Sequence, residues 1–173
     1  MIITVGGPIG SGKTTVSKAI AEKFDFVHIS AGEIFREMAE ERGVTVEEFS
    51  LIAEENQEFD KELDSRQIAL AKKAPDAVID GRLSGLLIDA DLKVWLKAPL
   101  ESRAKRVSKR ENKDYKAALE DARMRGDSEL KRYKNLYDIN LRDLAPYDIV
   151  INTDLFNAKE VIEIIEKTIS ILR

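Results

Sequence analysis

At 173 residues the chain is long enough to bury a substantial core, and one domain spanning 1–173 accounts for it. The absence of cysteine excludes a disulfide framework and a Cys-based zinc site. The lack of a basic apolar leader or a membrane-length apolar run points to a cytoplasmic protein with no membrane partner. The net charge of −4 hides an asymmetry: residues 97–134 carry 13 Lys and Arg against 7 Asp and Glu, so the basic stretch reads as a local anion site and not as a nucleic-acid surface.

In chain order, Ile2-Ile3-Thr4-Val5 reads as a strand that runs straight into Gly7-Pro8-Ile9-Gly10-Ser11-Gly12-Lys13-Thr14. Two glycines five apart, followed by Lys and a hydroxyl residue, fit the phosphate-loop pattern. Glycines let backbone N–H groups curl around a phosphate chain, Lys13 meets the outer phosphates, and the Thr14 hydroxyl suits Mg²⁺. A helix carrying Val16, Ile20 and Phe24 opens on the loop and adds the positive end of its dipole. Nucleotide binding through residues 7–14 is therefore the first expectation.

Phe26-Val27-His28-Ile29 reads as a second strand, with Ser30 as N-cap of the helix that follows and the lone histidine as a packing residue without a carboxylate partner. That helix stops near Gly43, and Thr45 with Glu48 forms a capping box for another. Residues 58–73 form a further helix with Phe59, Leu63, Leu70 and Ala71 inward, ended by Pro75. Ala77-Val78-Ile79 is a short buried strand that delivers Asp80, Gly81 and Arg82 at its carboxyl end, the edge where open α/β sheets bind ligands.

Residues 92–97 make a fourth strand, and Pro99 stands in the first turn of a helix on which Arg103, Arg106 and Arg110 share a face. A second basic helix starts near Asp114 and carries Arg123, Arg125 and Arg132. Residues 147–151 make a fifth strand, and Asn157 with Glu160 caps a last helix with Val161, Ile164, Ile165, Thr168 and Leu172 inward. Strands alternating with helices predict an α/β fold of three layers, a parallel sheet with helices on both faces. The arginines suggest phosphoryl transfer, because guanidinium groups stay charged and grip phosphate oxygens in pairs. Arg36 and Arg82, both at strand-to-helix junctions on the phosphate-loop side, are the leading candidates.

The motifs Ser30-Ala31-Gly32-Glu33-Ile34-Phe35-Arg36, Phe59-Asp60-Lys61-Glu62-Leu63-Asp64-Ser65-Arg66-Gln67, Asp80-Gly81-Arg82-Leu83 and Arg132-Tyr133-Lys134, with the phosphate loop, resemble the nucleoside monophosphate kinases. Within that group the chain is most similar to the archaeal-type cytidylate kinases, over essentially its whole length. The resemblance implies a P-loop NTPase fold with strand order 2-3-1-4-5, an acceptor-binding region near 31–66 and an arginine-rich lid near 110–137. It implies that residues 7–15, Thr15 included, form the ATP loop, that the segment from Ser30 and Gly32 to Arg36 and the segment Asp80, Gly81 and Arg82 lie at the acceptor, and that Arg125 and Arg132 close on the transferring group. With Lys13 of the loop, Arg82, Arg125 and Arg132 are the catalytic candidates, and Asp80, at its strand end, is placed to orient the water shell of a Thr14-held Mg²⁺ or the acceptor site. The resemblance also implies ATP and CMP or dCMP as substrates of a monomer. The bacterial members carry a longer base-reading insert and an acidic residue where Leu83 stands, so here the base-reading candidates are Asp60 and Arg66. A kinase for AMP or a small metabolite is the alternative. A nucleotide-switched binding module fits less well, since no Asn-Lys-x-Asp segment or Asp-x-x-Gly switch occurs.

Overall fold

The sheet grows outward from its first strand, β1 (Ile2–Gly6), in the computed structural model, which describes residues 1–173, the side chain of Glu47 excepted. On one side β1 pairs with β3 (Ala77–Asp80), Val5 opposite Asp80, and β2 (Val27–Ser30) lies beyond, Ser30 opposite Asp80. On the other side β4 (Leu92–Lys97) places Trp95 opposite Gly6, and β5 (Ile149–Asn152) closes the row. Every pairing is parallel and the order is β2-β3-β1-β4-β5, as expected. This register brings Gly6, Ser30 and Asp80 to one edge, the carboxyl edge where α/β sheets bind ligands.

Between the strands run α1 (Lys13–Phe24), α2 (Ala31–Glu41), α3 (Val46–Glu55), α4 (Glu58–Lys73), the short α5 (Ser84–Leu87), α6 (Leu100–Glu111), α7 (Tyr115–Tyr137) and α8 (Ala158–Leu172). Alternation along each strand divides the core between two faces. Ile3, Val5 and Val78 pack with Val16 and Ile20 of α1 and Val161, Ile165 and Ile169 of α8. Ala77 and Ile79 point the other way, against Ile34 and Met38 of α2, Phe49 of α3 and Ala71 of α4. Full burial of each large side chain contributes about 1.5–3 kcal/mol, so these two layers hold the site edge rigid. No helix among the described residues is long and apolar enough to cross a membrane.

Local signals are realised closely. Gly43 takes φ 67°, and the amides of Gly43 and Val44 return to the carbonyls of Glu40 and Ala39, ending α2. Both capping boxes form, Thr45 with Glu48 and Asn157 with Glu160. Four details differ. The Ser30 hydroxyl does not cap α2, because it turns to the Asp80 carboxylate. Leu70 is exposed, since the inward line of α4 runs through Asp60, Gln67 and Ala71. Ile169 takes the inward place expected for Leu172, which lies in the exposed final turn. Tyr147 precedes β5 instead of opening it.

Candidate active site

The loop between β1 and α1 owes its path to positions that admit no side chain. Gly10 has φ 76°, and a Cβ there would stand 2.6 Å from the Arg103 carbonyl oxygen. At Gly7, φ 148°, it would stand 2.4 Å from that of Leu96. Lys13 opens α1 and reaches back to donate to the Pro8 carbonyl at 3.1 Å, while Thr14 and Thr15 stay exposed in the first turn. Burial, and then the charge of Arg82, lower the Lys13 pKa to about 7, although the residue keeps some exposed surface.

Two of the arginines expected to grip substrate instead brace this loop. Arg103 donates to the carbonyls of Ala98 and Ile9, both at 3.1 Å. Arg106 donates to the Gly10 carbonyl at 3.2 Å and to both oxygens of Thr153, whose hydroxyl donates to the Ser11 carbonyl at 3.1 Å. Arg110 pairs with Glu111 on the surface. With α6 packed beside the loop, the nearest acceptors for Arg103 and Arg106 are these carbonyls, which no periodicity in the sequence reveals.

At the end of β3, Asp80 is 2% exposed and one oxygen, Oδ2, has no hydrogen-bond partner among the described residues. Burial pushes its pKa up, but His28, Ser30 and Thr14 beside it prevail and hold the carboxyl below the usual range. His28 therefore has the carboxylate neighbour not expected for it: Nε2 stands 3.7 Å from Oδ2, because β2 lies directly against β3. Gln67 of α4 donates to the Asp80 carbonyl at 2.9 Å and lies so close to Gly81 that a Cβ there would meet it at 3.0 Å. Arg82 follows, its side chain 12% exposed and ion-paired with Glu129 of α7, and burial lowers its pKa to about 10, still charged at neutral pH.

Arg36 lies on the exposed side of α2 near Gly32 and makes no ion pair among the described residues. Pro8, Arg82, Trp95 and Arg103 share the wall of a cavity of about 290 Å³ with Arg123 and Leu130 of α7, so the phosphate loop and Arg82 open on one space.

α7 is held against α4 by polar contacts. Arg132 pairs with Asp60 at 3.0 Å, and the Tyr137 hydroxyl donates to Asp64 at 2.8 Å. Burial raises the pKa of Asp60, opposed by Arg132, and raises that of Asp64 to about 6. Arg125, 45% exposed, is paired among the described residues only with Asp121 on its own helix. Arg66 is not gathered with these groups: Glu41 grips it bidentately at 2.7 and 2.6 Å, and Glu62 joins at 2.7 Å. Sequence reasoning missed Glu129, Gln67 and Tyr137. Glu129 was accessible, since it lies four residues after Arg125 and three before Arg132, on one helical face.

A five-stranded parallel sheet of this order with a phosphate loop at its carboxyl edge defines a P-loop kinase fold. Solved structures agree: a shikimate kinase from Bacteroides thetaiotaomicron superposes with TM-score 0.62 at 17% identity, covering 98% of each chain. A deoxyadenosine kinase from M. mycoides with bound dATP gives 0.56 at 16%, covering 98% of this chain and all of that one. The chain belongs to the cytidylate kinase-like family, whose model matches residues 2–155. It is 49% identical over 173 residues to the cytidylate kinase of Methanocella arvoryzae, all of this chain and 99% of that protein. It is 47% identical to that of Methanocaldococcus jannaschii, with the same coverage.

Proposed function

We infer that the protein transfers the γ-phosphoryl group of ATP to CMP, with dCMP as a second acceptor, acting as a cytoplasmic monomer. The observation that carries this reading is the convergence of the phosphate loop and Arg82 on one cavity at the carboxyl edge, in a chain 49% identical to a cytidylate kinase. An acceptor-phosphate oxygen bonds to the γ-phosphorus as the bond from that phosphorus to the β–γ bridging oxygen breaks, and ADP departs with the bond's electrons. The acceptor phosphate is already ionised, so no side chain has to remove a proton, and no phosphorylated side chain intervenes. A nucleotide panel tests the acceptor. CMP and dCMP turning over well ahead of AMP, UMP and GMP supports the reading, and AMP ahead of CMP refutes it.

The donor set fits Mg²⁺. The Thr14 hydroxyl and the unpartnered, ionised Oδ2 of Asp80 are neighbouring hard oxygens, and phosphates and water complete such a shell. When bound, the ion neutralises charge on the β- and γ-phosphates. Lys13 adds an ammonium, but with a pKa of about 7 it is mostly neutral at pH 8 in the free protein. Polyphosphate oxygens beside it raise that pKa. Binding of the non-hydrolysable analogue AMP-PNP at pH 8 is therefore expected to draw in a proton. Calorimetry in buffers of different ionisation enthalpy measures the uptake, and Lys13→Met should abolish it.

The segment 110–137 serves as the lid in this reading, with α7 as its body. Asp60 holds Arg132 and Glu129 holds Arg82, so phosphates that take these guanidinium groups must compete with carboxylates. Arg132→Ala is expected to lower kcat by roughly a hundredfold, the scale of a lost transition-state charge contact, while ATP binding changes little. Arg125 should matter only if the helix shifts, because its side chain now faces solvent. Steady-state kinetics of the two variants separates the roles, and an Arg132→Ala enzyme with undiminished kcat refutes the assignment.

A further inference from the structure

Tyr147, immediately before β5, joins the two halves of the site. Its side chain is nearly enclosed, the residue being 8% exposed, and its ring packs on Trp95 with centroids 4.9 Å apart. It lies between two glycines of different origin. A Cβ at Gly6, the root of the phosphate loop, would come within 3.2 Å of its Cε1, and one at Gly85, three residues after Arg82, within 2.5 Å. One ring therefore sets the spacing between the loop and the turn that carries Arg82. Trp95, on which it rests, lines the same cavity as Arg82 and Pro8.

The ring position is explained by packing, but the hydroxyl is not. It is buried with no hydrogen-bond partner among the described residues, an arrangement that calls for a reason. Burial raises the pKa of this phenol, and the one charge that acts against that rise is Arg82. A guanidinium has five N–H donors in a fixed plane, and a bidentate phosphate occupies two of them. A phenol oxygen accepts from another donor without cancelling the charge, whereas a second carboxylate would compete with the phosphate.

We infer that Tyr147 is a positioning residue for Arg82: its ring fixes the distance from the phosphate loop, and its hydroxyl oxygen accepts a guanidinium hydrogen bond while the acceptor phosphate is held. This rests on the reading of Arg82 as the grip on that phosphate. Tyr147→Phe keeps the ring between Gly6 and Gly85 and removes only the oxygen. The KM for CMP should rise about tenfold to a hundredfold, the loss of one hydrogen bond to a charged group, with the KM for ATP unchanged and the melting temperature not lowered. In an Arg82→Ala background the same substitution should add nothing, because the partner is gone.

An unchanged KM for CMP in Tyr147→Phe, or equal rises for CMP and ATP, overturns the inference. If Arg82→Ala raises the KM for CMP and Tyr147→Phe does not, the inference alone fails. If Arg82→Ala leaves the KM for CMP untouched, the reading of Arg82 itself falls.

Discussion

Lys13→Ala should reduce kcat by about a thousandfold or more while the protein still folds, the upper range for one lost transition-state charge contact. The side chain belongs to neither apolar layer: it spans the loop to a single carbonyl at 3.1 Å, and burial and then the charge of Arg82 disfavour its ammonium in spite of Asp80. Stability should follow the displaced pKa. Lys13 titrates near 7 in the folded protein and near 10.5 in the unfolded chain. Between those values the unfolded chain binds more protons, so this group makes wild-type stability rise with pH across the window. The alanine variant lacks that slope. Its melting temperature relative to wild type should be highest at pH 6 and should fall toward pH 10. Retained turnover would remove the phosphate loop from the chemistry, and a flat difference across pH would refute the displaced lysine.

Arg82→Ala should lower kcat/KM for CMP by roughly a thousandfold, through both a raised KM and a reduced kcat, because the contact acts in ground and transition states alike. The KM for ATP should stay within about twofold, since the loop is braced by Arg103 and Arg106 and not by Arg82. Arg82→Lys should recover little, as an ammonium lacks the planar fork that receives two phosphate oxygens. Removing Arg82 also frees Glu129, which is partly exposed and can hydrate, so the fold should tolerate the change. A collapse of ATP binding with an unmoved KM for CMP would reverse the two sites.

Those features written in local chemistry were legible in the sequence. The phosphate loop is fixed by glycines that a Cβ would disrupt, the capping boxes need only residues three apart, and Ala77-Val78-Ile79 is apolar on both faces because both faces of β3 are covered. The direction of each arginine was less legible, because it depends on acceptors distant in the chain. Arg106 finds Thr153 and Arg132 finds Asp60, 47 and 72 residues away. The residue pattern placed Asp60 among the polar positions of its helix and the family resemblance offered it as a base reader, but its burial goes with a distant guanidinium that neither revealed. The placement of His28 beside Asp80 likewise follows from strand order, which no spacing within β2 encodes. Resemblance to the family supplied the order of the sheet, whereas the bracing of the loop by α6 came only from the structure.

The most direct measurement of the central claim is ADP release by the purified protein with ATP and Mg²⁺, followed in a coupled assay with and without CMP. ADP release with ATP alone should be slow and should rise by several orders of magnitude on adding CMP, with one CDP formed per ADP. ADP release that is indifferent to CMP, or that yields no CDP, would contradict the claim.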